Sequence, residues 1–143
     1  MKKDVIISIT GINRLDGDKD VVELTTVGRY FKKNQDYYIV YDEMQQENMD
    51  KTTKTTLRIE EEGRVTMTRS GGQRSQFIIE NGKRHQCYYD TGYDAWTVGV
   101  LGNRIRSNLT DDGGDLELKY SLDINAMLAS ENEVYINVKE CQK

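Results

Sequence analysis

An all-β fold, a single antiparallel β-barrel of about eight to ten strands, is what this 143-residue sequence predicts. Apolar residues recur at every second position, as in Leu116, Leu118, Tyr120, Leu122 and Ile124, which is the period of a strand. Runs rich in β-branched residues and Tyr alternate with short polar links along the chain, and no linker or repeat divides it, so residues 1–143 form one domain. Pro is absent, as suits central laddered strands. An open sandwich is the competing architecture. A barrel is preferred because closure removes the edges that a sandwich must protect, and because Gly28, Gly99 and Gly102 suit the bends of a barrel wall.

Val5, Ile7 and Ile9 alternate with Ile6, Ser8 and Thr10, predicting a first strand that ends near Gly11. "RLDGDKD" reads as a loop, and "VVELTTVGRYFKK" as a long extended run with Gly28 at a bulge or bend. "KNQD" then turns the chain into "YYIVYDE", making a hairpin, and "MQQENMDK" reads as a loop. "TTLRIEE" and "RVTMTRS" pair through a turn near Glu62–Gly63, and "SQFIIE" meets "RHQCYYDT" through Asn81–Gly82, a tight-turn signal. "AWTVGVLGNRIRSNL" is either one long strand or two broken at Gly102–Asn103, which leaves the register from Gly99 to Asn103 open. "DLELKYSLDI" follows, "NAMLASEN" reads as a short helical turn, and "EVYINVKE" closes the chain with Val134, Ile136 and Val138 on one side.

Composition narrows the function classes. The formal charge of −4 gives no general attraction to nucleic acid or to an anionic membrane surface. The early apolar run is broken by Ser8 and Thr10, unlike a signal peptide, and no stretch approaches the roughly 18 apolar residues of a spanning helix. Cys87 and Cys141 form no CxxC pair and read as two thiols in a reducing cytoplasm. One His and two Cys fall short of the usual zinc set of about four ligands, so no metal is expected. His85 and Cys87 share a strand face, but nothing around them suggests an oxyanion hole. "SGGQRS" lacks the spacing of a phosphate-binding loop. No catalytic residue and no cofactor is assigned.

The order of "GRYFKKNQDYYIVYDE", "KTTKTTLRI", "GRVTMTRSG", "CYYDTGYDAWTVGVL" and "GGDLELKYSLDIN" resembles the YwiB-like family of bacterial proteins of unknown function. The resemblance runs from about Val5 to Val138. It implies a calycin-like barrel, the architecture of lipocalins and fatty-acid-binding proteins, and a cytoplasmic bacterial setting. It supplies no catalytic residue. "TVGVLGN" is more Gly-rich than the family leads one to expect at that place.

Polar side chains that recur at even spacing along the strands are the candidates for a site. Tyr37, Ile39, Tyr41 and Glu43 share one face of their strand, and Arg69 shares parity with Val65 and Met67. Lys54 and Arg58 lie on the face opposite Leu57 and Ile59, the better core pair. The candidate ligand-binding set is Tyr41, Glu43, Arg58, Arg69 and Tyr89, with Glu43 as the acidic partner any internal Arg requires. The plainer reading is a solvated sheet face whose Arg and Lys stems cover apolar surface. The expected function is non-enzymatic binding of a small acidic or amphiphilic ligand in the barrel mouth, or an accessory role. The alternatives are a structural or protein-interaction module without a ligand and, last, an enzyme. Homodimerisation is compatible with the sequence.

Overall fold

Alternating burial carries each of these runs into a strand. The computed structural model describes residues 3–45, 48–71, 74–90, 95–124 and 127–141. Its ten strands are β1 (Lys3–Leu15), β2 (Asp18–Lys33), β3 (Asp36–Gln45), β4 (Asn48–Ile59) and β5 (Val65–Gly71), then β6 (Arg74–Ile79), β7 (Arg84–Asp90), β8 (Ala95–Ser107), β9 (Gly113–Ile124) and β10 (Met127–Glu140). They form a closed antiparallel barrel in which each strand pairs with its neighbours in sequence, and β1 pairs with β10 to shut the wall.

Turn chemistry explains why several links are shorter than the sequence suggests. β1 continues past Gly11 to Leu15, where Asp16 and Gly17 both take positive φ (49° and 83°), the two-residue turn whose twist matches a hairpin. Most of "RLDGDKD" is therefore strand. Asn34 and Gln35 make the same kind of turn (53° and 74°) between β2 and β3. "MQQENMDK" is likewise mostly strand: β3 runs to Gln45 and β4 starts at Asn48, while residues 46 and 47 lie outside the described residues. In "NAMLASEN" the expected helical turn gives way to β10, which begins at Met127 and absorbs a register shift between Leu128 and Ser130; residues 125 and 126 are not described. The ambiguity around Gly102 resolves into one strand, β8, with a bulge between Gly102 and Arg104. A bulge lets an extra residue enter without breaking the ladder.

The apolar interior fills one half of the barrel. Val5, Ile7, Ile39, Leu57, Ile79, Val100, Leu116 and Leu118 are fully buried there, with Phe77, Met67, Ile136 and Val138 packed among them. Leu122 and Val134 lie partly buried against this cluster. The outer wall is polar and cross-linked. Glu133 on β10 accepts hydrogen bonds from the Tyr135 hydroxyl at 2.6 Å and from Arg14 of β1, and Lys119 of β9 lies 3.6 Å away. The Tyr135 hydroxyl first, and Arg14 next, hold the Glu133 carboxyl down at about 2. A carboxyl depressed in the folded state stabilises the fold above its unfolded value near 4.5, and that stabilisation is lost as pH falls through 2. Denaturant unfolding of the parent and Glu133→Gln proteins should therefore differ most at pH 5 to 7 and converge towards pH 2. A constant difference across that range would show that Glu133 is not held this way.

Candidate functional site

Above the apolar plug the interior turns polar, and the ladder registers align the polar side chains in a row. Tyr41 stands opposite Thr55, Thr55 opposite Arg69, Arg69 opposite Ser75, Ser75 opposite Tyr89, and Tyr89 opposite Trp96. Directly opposed residues bring their Cβ atoms to roughly 5 Å, so this is one continuous belt across β3 to β8. Tyr89 is turned inward, where its ring stacks on Phe77 with centroids 6.2 Å apart.

The belt holds more hydrogen-bonding capacity than the fold uses. Thr53 and Ser75 are 3% and 5% exposed, yet their hydroxyls have no hydrogen-bond partner among the described residues, and neither does the buried Nε of Arg69; the fully buried Thr55 hydroxyl lies against the Tyr41 phenol. Each such orphan costs on the order of 1–3 kcal/mol of desolvation. Burial pushes the Tyr41 phenol up to about 12; the nearby Glu43 charge adds to this and Arg69 opposes it. Burial raises Tyr120 on β9 as well, again opposed by Arg69. The Arg69 charge thus acts on phenols from two walls, and both stay neutral donors at physiological pH. No ion pair joins Arg69 to Glu43 among the described residues.

A recess of about 680 Å³ opens onto this belt, lined on its polar side by Tyr41, Glu43, Thr53 and Arg69 and on its apolar side by Ile9, Leu24, Val134 and Ile136. Three of the five residues expected from the sequence therefore meet in one space: Tyr41, Glu43 and Arg69. Tyr89 belongs to the same belt, two strands beyond Arg69, but does not line the recess. Arg58 is placed elsewhere. It lies on the outer wall, where its Nε and Nη2 donate to Asp36 Oδ2 at 3.0 and 2.9 Å, and its guanidinium carbon sits 6.0 Å from the centre of the Tyr38 ring. That outward direction follows from parity, since Arg58 alternates with the buried Leu57 and Ile59. Sequence reasoning passed over Thr53, Thr55, Ser75 and Tyr120. A signal existed for the threonines, which share the parity of Leu57 and Ile59.

The His85 ring and the Cys87 thiol have different partners, although the thiol also donates to the His85 backbone oxygen at 3.7 Å. His85 Nε2 lies 2.9 Å from Glu80 Oε1, while Cys87 Sγ accepts the Ile78 backbone N–H at 3.3 Å. Burial raises the Cys87 thiol, which suppresses its nucleophilic form. Both cysteines are free thiols. Among the described residues no group of three or more His, Cys, Asp or Glu side chains is placed to hold a metal ion, and no helix is long and apolar enough to cross a membrane.

Comparison with known proteins gives a family and a fold. Residues 7–136 match a family described as a domain of unknown function, DUF1934. The fold is similar to the crystal structure of the YwiB protein from Bacillus subtilis, with a TM-score of 0.87 at 19% identity, covering 99% of this chain and 94% of that one. No curated protein matches the chain.

Proposed function

The chain belongs to the DUF1934 family, a domain of unknown function, and we propose that it is a non-enzymatic binding protein that takes a small molecule with an anionic group into its barrel mouth. One observation carries this reading: the buried, unpartnered donors of Arg69 and Thr53 face a recess with an apolar far wall. Ser75 adds one more unpartnered hydroxyl directly opposite Arg69. A carboxylate or phosphate oxygen would satisfy donors the fold leaves orphaned, and Arg offers it a planar fork. The neutral Tyr41 phenol, which lines the recess, adds a donor without adding competing negative charge. An up-and-down meander with a mouth of this kind supports a place among calycin-like, ligand-binding barrels. The His85 imidazole pairs with Glu80 rather than with the Cys87 thiol, which supports binding over catalysis. A bacterial cytoplasmic setting fits two free thiols.

A second reading has its own observation. Ile6 and Val27 are cross-strand partners on the outer wall, 38% and 65% exposed, and Val21 lies further along β2 at 51%. The exposed Ile6–Val27 pair would serve a protein contact, including a homodimer.

Native mass spectrometry of protein purified gently from its own cytoplasm tests the first reading. The expected result is a retained acidic compound that is lost in Arg69→Gln and kept in Arg58→Ala, because Arg58 faces away from the mouth. Retention by both variants, or loss from both, would sink the assignment of Arg69.

A further inference from the structure

The barrel wall is parted beside this recess. The ladder between β2 and β3 runs only from Lys33–Asp36 to Arg29–Val40. Beyond it, β2 stays paired with β1 as far as Asp18, and β3 stays paired with β4 as far as Gln45. The two strands therefore continue side by side without a ladder between them. The lining of the recess reports the consequence. Glu43, Leu24 and Val22 have inward parity, whereas Glu23 and Asp42 have outward parity, yet all five bound the same space. The lumen thus reaches the outside through the seam between β2 and β3. A second, smaller hollow of about 180 Å³ on the same seam is bounded by Asp4, Val27, Gly28, Arg29, Val40, Tyr41 and Asp42.

Where the recess meets the seam its lining is acidic, opposite in charge to Arg69 of the belt, while Lys54 stands across the ladder from Asp42 and Arg29 borders the smaller hollow. Glu23, Asp42 and Glu43 form no ion pair among the described residues, and all three border the recess into which Arg69 and the unpartnered, 3%-exposed Thr53 also face. A purely anionic molecule would meet three carboxylates at the seam. From this geometry, and resting on the reading of Arg69 as the anion site, we infer that the ligand is a zwitterion with separated charges. Its anionic end lies on Arg69, and its cationic end, an amine or guanidine, lies at Asp42, Glu43 and Glu23, with the Thr53 hydroxyl directly opposite Glu43. Arg69 shares a level with Tyr41, and Glu43 stands two residues further along β3, so the two poles are offset by roughly 6–7 Å. The span between them runs past Ile9, Leu24, Val134 and Ile136, which calls for an apolar midsection. An ω-amino acid has this form.

The test uses three probes of equal chain length: 6-aminohexanoate, hexanoate and hexylamine. Each is titrated into the full chain and followed by backbone amide NMR shifts. 6-Aminohexanoate should bind at least about tenfold more tightly than hexanoate, a difference of about 1.4 kcal/mol. The paired change Asp42→Asn with Glu43→Gln should erase that preference while hexanoate still binds. Arg69→Gln should weaken both acids, with Arg69→Lys restoring part of the loss. Equal affinity of the parent protein for hexanoate and 6-aminohexanoate would overturn the zwitterion inference and leave the anion site standing. Hexanoate binding indifferent to Arg69→Gln, or no binding of any probe, would overturn both.

Discussion

Leu118→Ala should lower the unfolding free energy by about 2–5 kcal/mol, the range for truncating a fully buried leucine in a packed core. Leu118 is 0% exposed, faces Ile105 across one ladder and Val134 across the other, and lies in the apolar half of the barrel. The removed methyl groups would leave a cavity among side chains that two rigid ladders prevent from collapsing. Urea unfolding with an unchanged m-value would report the loss as one of stability. A change below about 1 kcal/mol would mean that the plug is loosely packed or that its neighbours relax into the gap.

Gly28→Ala should cost about 1–3 kcal/mol by overpacking, against no loss for Gly11→Ala. A Cβ on Gly28 would overlap the Val40 carbonyl oxygen and the end of the Ile7 side chain, and would press on Tyr41 Cβ at 3.3 Å. The missing side chain is what lets β2 and β3 approach just where their ladder ends. At Gly11, also on the inner wall, an added Cβ meets only the Val22 carbonyl oxygen at 4.0 Å. There the loss of chain entropy in the unfolded state should give a neutral or slightly favourable effect. Parallel thermal melts of the two variants make the comparison, and equal shifts would refute the close approach at the seam.

Much of the barrel was legible because period-two burial is written directly into runs such as Leu116 to Ile124 and Leu57 to Ile59. Parity groups Tyr41 and Glu43 with Ile39, and Arg69 with Val65 and Met67, but Arg58, expected at the site, alternates with Leu57 and Ile59 and lies on the outer wall. Strand ends were less legible, since Asp16–Gly17 and Asn34–Gln35 turn the chain in two residues while polar strand ends look like loop. Met127 to Asn132 shows the same limit: its residue types suit a helical turn, but pairing with β9 decides the outcome. The belt was not legible at all. Parity says which face a residue occupies, whereas its level depends on every turn length and bulge before it. The alignment of Thr55, Arg69 and Ser75 exists only once three registers are set. The seam is hidden for the same reason, because nothing in the composition of β2 states where its second ladder stops.

Closure by β1 and β10 has a kinetic consequence. Every other ladder joins strands adjacent in sequence, so each hairpin can form with a short loop to close. The pairing of Val5 with Glu140 through to Arg14 with Glu131 requires nearly the whole chain to return on itself. Its loop-closure entropy is the largest in the molecule and is recovered only after the rest of the meander is in place. Residues such as Ile9 and Ile136, which meet across that ladder, should gain their contacts late, on the native side of the folding barrier, with φ-values near zero. Weakening them leaves the folding rate nearly untouched and shortens the lifetime of the folded barrel instead.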